Sequence, residues 1–230
     1  RSCVGKTRLC PSRVDAAQRV HGIALRALLA QKHVEAVLHA AAVIRPDGRG
    51  LLLLGAGGAG KSTLALLLTA RGWRLLGDDL VGLMHDAGGG PPDICALGLA
   101  PKLRYPLPGD ITDTTRRFLE SRVVRRGYDH AHLHLASAEL WPCGARLGLT
   151  AAVVLDRLPP GSLGASSPRM APLANGATDR QLTSSLVVPD LQPGQQLDYA
   201  IRLASHCPVR ALTYTRSETA ARFLDTSEVV

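Results

Sequence analysis

The chain has 230 residues, 46% of them hydrophobic, enough for one α/β domain with a full core and too few for two large ones. Its formal net charge is +8, but aromatic residues make up only 3% and no dense Lys/Arg run interleaves with them, which argues against a nucleic-acid partner. The 5 cysteines are odd in number and none forms a C-x-x-C pair. That argues against a disulfide framework or a structural zinc site, and points to reduced thiols in the cytoplasm.

Residues 1–33 read as an N-terminal helical segment, a remnant of a longer upstream region, since the first residue is Arg1. Apolar spacing predicts a helix over Ala16–Gln31. Residues 34–230 read as the main domain. Val34–Ile44 predicts one strand, and Arg45-Pro46-Asp47-Gly48 has turn chemistry. Leu51–Leu54 predicts a strand buried on both faces. This stretch is far too short to span a bilayer, so no membrane partner is expected. A helix over Ser62–Arg71 closes at Gly72, followed by strands at Trp73–Leu76 and Leu80–Met84. Gly88–Pro92 is a loop, and Ile111–Arg122 a helix. Strands follow at Ala131–Leu135 and Thr150–Leu155, a loop at Pro159–Pro168, and helices at Asp179–Leu186 and Gly194–Ala204. Val209–Tyr214 predicts a strand, and Ser217–Leu224 a closing helix capped by Ser217. The alternation of strands and helices predicts an α/β fold, parallel at the centre of its sheet.

Gly55-Ala56-Gly57-Gly58-Ala59-Gly60-Lys61-Ser62 fits G-x-x-x-x-G-K-[ST], with an apolar strand before it and a helix after it. Glycines let the backbone curl so that N–H groups point at phosphate oxygens, and the helix adds its positive end. Nucleotide binding is expected over Gly55–Thr63, with Lys61 on the β- and γ-phosphates and Ser62 on Mg²⁺. If Pro46–Arg49 closes a hairpin with Ile44 opposite Leu51, His39 falls opposite Ala56, at the mouth of this loop. A histidine there can meet the γ-phosphate or the acceptor; a core histidine with a satisfied hydrogen bond is the plainer alternative. Asp78 and Asp79 end the strand that a right-handed crossover returns beside the loop. One carboxylate suits Mg²⁺ and the other the proton of a hydroxyl being phosphorylated. A solvated Asp-Asp turn is the alternative.

His39-Ala40, Gly55–Ser62 and Arg71-Gly72-Trp73-Arg74-Leu75-Leu76-Gly77-Asp78-Asp79 together resemble the kinase core of the bacterial HPr kinase/phosphorylase family, over roughly residues 35–85. Weaker similarity continues through Thr150–Arg157. The resemblance implies a P-loop kinase core related to phosphoenolpyruvate carboxykinase, with a mixed sheet flanked by helices. It implies ATP with Mg²⁺, a serine hydroxyl as acceptor, and a homo-oligomer. By position it makes His39, Lys61 and Asp79 catalytic, with Asp79 the general base, and puts Ser62 and Asp78 on the metal. The chain departs from the family in three places. Thr63 replaces a glutamate, no Glu-x-Arg-Gly stretch is found, and the C-terminal segment that recognises HPr is missing. The resemblance therefore does not carry phosphorylase activity or HPr itself. Divergent relatives occur beside peptide-modification genes, which implies a protein or peptide carrying the serine.

Lys102 and Arg104 alternate, so on an extended segment they share a face and can clamp phosphate or an acidic substrate; a solvated basic edge is the alternative. His130, His132 and His134 also alternate, a weak pattern for zinc. Asp156 resembles the acidic end of a P-loop ATPase strand, or forms a salt bridge. Competing functions are a motor or transporter ATPase, a small-molecule kinase, and a nucleotide-binding regulator without chemistry. No L-S-G-G-Q-like segment supports a transporter ATPase.

Overall fold

The computed structural model describes Val20, Ile23, Val34 and residues 36–84, 92–159, 161–162, 167–173, 175–187 and 193–228. Of the helix expected over Ala16–Gln31, only Val20 and Ile23 are described, and both are helical. The Gly88–Pro92 loop lies outside the described residues except for Pro92.

A nine-stranded mixed sheet forms the middle layer. Its long strand β10 (Arg146–Arg157) joins two halves. The later part of β10 lies between β3 (Gly50–Leu54) and β12 (Val209–Tyr214), parallel to both. β2 (Ala41–Ile44) pairs antiparallel with β3, and β4 (Arg74–Gly77) antiparallel with β2. β11 (Arg169–Pro172) closes this half against β12. The start of β10 pairs with β6 (Asp93–Cys95), β6 with β5 (Val81–Met84), and β5 with β1 (Ala36–Leu38), all antiparallel.

Alternation along β3 divides the interior into two cores. Leu51 and Leu53 face α1 (Lys61–Thr69), Trp73 and α5 (Ser217–Thr226). Leu52 and Leu54 face the opposite core, with Leu182 of α3 (Asn175–Ser185) and Leu203 of α4 (Pro193–His206). A second sheet, β7 (Lys102–Arg104), β9 (His130–Leu133) and β8 (Val123–Arg126), packs Leu103, Ala131 and Leu133 onto the first core. It is joined by α2 (Asp113–Ser121), whose first turn is capped by the Thr112 hydroxyl accepting from the Thr115 N–H at 3.2 Å. None of the described helices is long and apolar enough to cross a membrane.

Several expectations change. The single strand over Val34–Ile44 is two strands, β1 and β2, which pair with different partners and leave His39 in a bend between them. The hairpin forms, but Ile44 stands opposite Gly50, one residue from the expected register. Arg45 N–H donates to Arg49 O at 2.9 Å, so the loop is Pro46-Asp47-Gly48, with Gly48 at φ 91. A one-residue slip exchanges the faces of a strand. Here β2 and β3 are buried on both faces, so the apolar pattern does not distinguish the registers. β4 runs parallel to β3 as expected, with β2 between them. Ser217 does not cap α5 but is its first residue, and its buried hydroxyl has no partner among the described residues. The cap comes from a distant loop, where Asp110 Oδ2 accepts the Glu218 N–H at 2.8 Å.

Candidate functional site

Gly55–Gly60 links β3 to α1, with Gly55, Gly58 and Gly60 at φ 141, 84 and 99. Only glycine adopts such angles without strain. Gly60 is doubly constrained: a Cβ there would stand 2.4 Å from the hydroxyl of Tyr214. That hydroxyl donates to the Ala59 carbonyl at 2.5 Å, so β12 braces the loop from below. Tyr214 is fully buried, and burial pushes its phenol well above the usual range. The first-turn amides of α1 have no intrahelical acceptor, and they open onto the same side as the loop.

Lys61 begins α1. Its ammonium donates to the carbonyls of Gly55 at 2.7 Å and Ala56 at 3.3 Å. Burial lowers its pKa, while Asp79 and Asp78 pull it back up. Ser62, the next residue, sets its hydroxyl beside the Asp78 carboxylate and lowers its pKa.

Asp78 and Asp79 leave β4 in opposite directions. Asp78 is 2% exposed, and its Oδ2 also accepts the Lys102 N–H at 2.9 Å. Burial raises its pKa, against the lowering effect of Ser62 and the Lys102 amide. Its Oδ1 is buried with no partner among the described residues. Asp79 has φ 71, the only positive φ of a described non-glycine residue. Asp tolerates this region better than most residues, though at a cost. The conformation turns its half-exposed carboxylate into the open, 3.3 Å from His39 Nε2 and 3.9 Å from Lys102 Nζ. His39 is held by its own backbone, whose N–H donates to Ser185 O at 2.6 Å.

These groups share a cleft of about 560 Å³. The expected residues His39, Lys61, Ser62, Thr63, Asp78 and Asp79 line it, with Gly57, Gly58 and Gly60 on its floor. Gly55, Ala56 and Ala59 do not line it; they take part through backbone carbonyls that hold Lys61 and Tyr214. His39 arrives by the bend rather than by the strand pairing expected for it, since β2 begins only at Ala41.

Other expectations separate. Lys102 and Arg104 do lie on one face of β7 and reach the cleft. Of the three alternating histidines only His130 does so, and no group of three or more His, Cys, Asp or Glu placed to hold a metal occurs among the described residues. Asp156 takes neither role expected of it: its Oδ2 accepts from the Thr213 hydroxyl at 3.3 Å, and its neighbour Arg157 lines the cleft instead. Arg157, Tyr105 and Tyr214 carry no sequence signal, because their importance comes from strands far from the loop.

No protein-family model matches the chain, and no curated protein does. Among solved structures it is similar to the HPr(Ser) kinase/phosphatase from Coxiella burnetii, with 14% identity and a TM-score of 0.39 over 83% of this chain and 91% of that one.

Proposed function

We propose that the chain is an ATP-dependent kinase that phosphorylates a serine hydroxyl of a protein or peptide. The observation that carries this reading is the meeting of three parts in one cleft: the glycine loop with Lys61, the Ser62–Asp78 pair, and the exposed Asp79 carboxylate beside His39. The resemblance in sequence to the HPr kinase family supports it. The partner is then a protein or peptide rather than a nucleic acid or a membrane, met in the cytoplasm.

The residues fit Mg²⁺. Asp78 offers a buried carboxylate oxygen without a hydrogen-bond partner, and the Ser62 hydroxyl lies against the same carboxylate. When bound, the ion neutralises phosphate charge during transfer. The chain's own residues do the rest. Lys61 exchanges the Gly55 and Ala56 carbonyls for phosphate oxygens. The loop amides and the start of α1 hold the anion in place. Asp79 accepts the proton of the serine hydroxyl as its oxygen bonds to the γ-phosphorus and the bond from that phosphorus to the β–γ bridging oxygen breaks, with ADP leaving. His39 and Lys102 hold the Asp79 carboxylate toward the acceptor.

The test is transfer of labelled γ-phosphate from ATP with Mg²⁺ to serine-containing proteins and peptides. Wild type should label an acceptor. Asp79→Asn should lose roughly 100-fold or more in rate while still binding nucleotide, and Lys61→Ala should lose both. Nucleotide binding with no transfer to any acceptor would instead identify a nucleotide-binding regulator.

A further inference from the structure

The sheet β7-β9-β8 turns Leu103, Ala131 and Leu133 inward and its other face outward. On that outer face Lys102 stands opposite His132, His132 opposite Arg125, and Arg104 opposite His130. Directly paired residues share a face, so three permanent cations and two imidazoles gather there. Each pair sets a permanent cation against an imidazole, which disfavours a charged imidazole there. Arg104 and Arg125 are exposed and form no ion pair among the described residues. Asp129 is bonded to His130 at 2.8 Å and also feels the charge of Arg104, which leaves Arg125 the less compensated of the two. The crowding registers on His132, held below the usual histidine range by burial first, then by Lys102, His130 and Arg125.

This face adjoins the chemistry. Lys102, Arg104 and His130 line the cleft, and Lys102 Nζ is 3.9 Å from Asp79. A face that gathers three permanent cations beside the cleft is suited to an anionic partner. We propose that it is the docking surface of the acceptor, an extended acidic segment whose carboxylates meet Arg104 and Arg125 while its serine sits at Asp79. This rests on the kinase reading and adds a substrate class to it. Arg104 is two residues along the strand from Lys102, about 7 Å, and Arg125 lies two strands away, about 10 Å. An extended chain advances about 3.3–3.6 Å per residue. Carboxylates roughly two to three positions from the serine therefore reach one arginine or the other.

Serine peptides that differ only at those positions, Asp against Asn, are titrated into the full chain by fluorescence anisotropy, with and without a non-hydrolysable ATP analogue and Mg²⁺. The Asp peptide should bind roughly five- to twentyfold tighter at low salt, with the margin shrinking as salt rises. Arg104→Gln with Arg125→Gln should abolish the margin. Arg104→Glu with Arg125→Glu should reverse it toward a Lys peptide. Equal binding of the two peptides, or a margin that survives the double variant, overturns the proposal. So does weakened binding of the ATP analogue with peptide binding untouched, which would assign the face to the nucleotide. Binding is read without turnover, so a chain that prefers the Asp peptide yet transfers no phosphate sinks the kinase reading alone.

Discussion

Asp78 and Asp79 are adjacent and chemically identical, yet the fold gives them opposite environments. Asp78 is buried against Ser62 and the Lys102 amide, and Asp79 is about half exposed beside His39. The two should therefore respond differently to removal of charge. Burial raises the Asp78 pKa, so the folded state holds its proton more tightly than the unfolded chain does. The stability linked to this group is present at low pH and is lost as pH rises from the ordinary carboxylate range through the raised value. Asp78→Asn does not titrate. Its melting temperature relative to wild type should rise with pH, and thermal unfolding between about pH 4 and 8 would show this. Added Mg²⁺ with nucleotide should stabilise wild type more than the variant, because the variant lacks the metal carboxylate. Asp79→Asn should leave the melting temperature nearly unchanged, since Asn also accepts positive φ. Asp79→Ala should cost about 1 kcal/mol more, because alanine is strained at φ 71.

At the scale of elements, the glycine loop depends on a strand more than 150 positions away in the chain, through the Tyr214 hydroxyl on Ala59. Tyr214→Phe strands the Ala59 carbonyl and should cost about 1 kcal/mol, with weaker nucleotide binding. Gly60→Ala meets that same hydroxyl and must also hold φ 99, so it should cost more, roughly 2 kcal/mol or above. The double variant removes the clash but keeps the strained φ. A double-mutant cycle by denaturant unfolding should show a total loss smaller than the sum of the singles. If the losses add instead, Tyr214 is not what confines Gly60.

For the whole molecule, one buried residue ties the glycine loop's helix to the end of the chain. Trp73 lies in the first core between α1 and β4, and its indole N–H donates to Asp225 Oδ1 of α5 at 2.7 Å. The Arg45 guanidinium lies over its ring, 5.8 Å from the centroid. Trp73→Ala should destabilise the fold by about 3–5 kcal/mol, measured by urea unfolding. Trp73→Phe, which keeps most of the volume and loses the hydrogen bond, should cost much less. Arg71, just past the end of α1, also pairs with Glu218 of α5, an ion pair largely shielded from solvent. The helix that presents Lys61 and Ser62 is thus held by contacts made after most of the chain has been laid down.

The loop Gly55–Ser62, the strand before it and the helix after it were legible in the sequence, because glycine, lysine and a continuous apolar run are local signals with local causes. Asp78 and Asp79 were legible as a pair, since the strand that ends in them is short and apolar. Their division into buried and exposed was not, because it follows from the Lys102 amide and a positive φ that only packing imposes. The short strands β6, β7, β8 and β11 carried little signal. Each is short, and its pairing partner rather than its own pattern makes it a strand. The register of the β2–β3 hairpin was equally hidden, since residues buried on both faces give no alternation to read. By itself the sequence determined an α/β chain with a glycine-rich loop ending in Lys61-Ser62, because backbone conformation and apolar periodicity are written residue by residue. Only the tertiary structure decided that Lys102, Arg104 and Arg157 join the expected His39 and Asp79 around that loop, because nothing but strand order and long-range pairing brings such distant positions together.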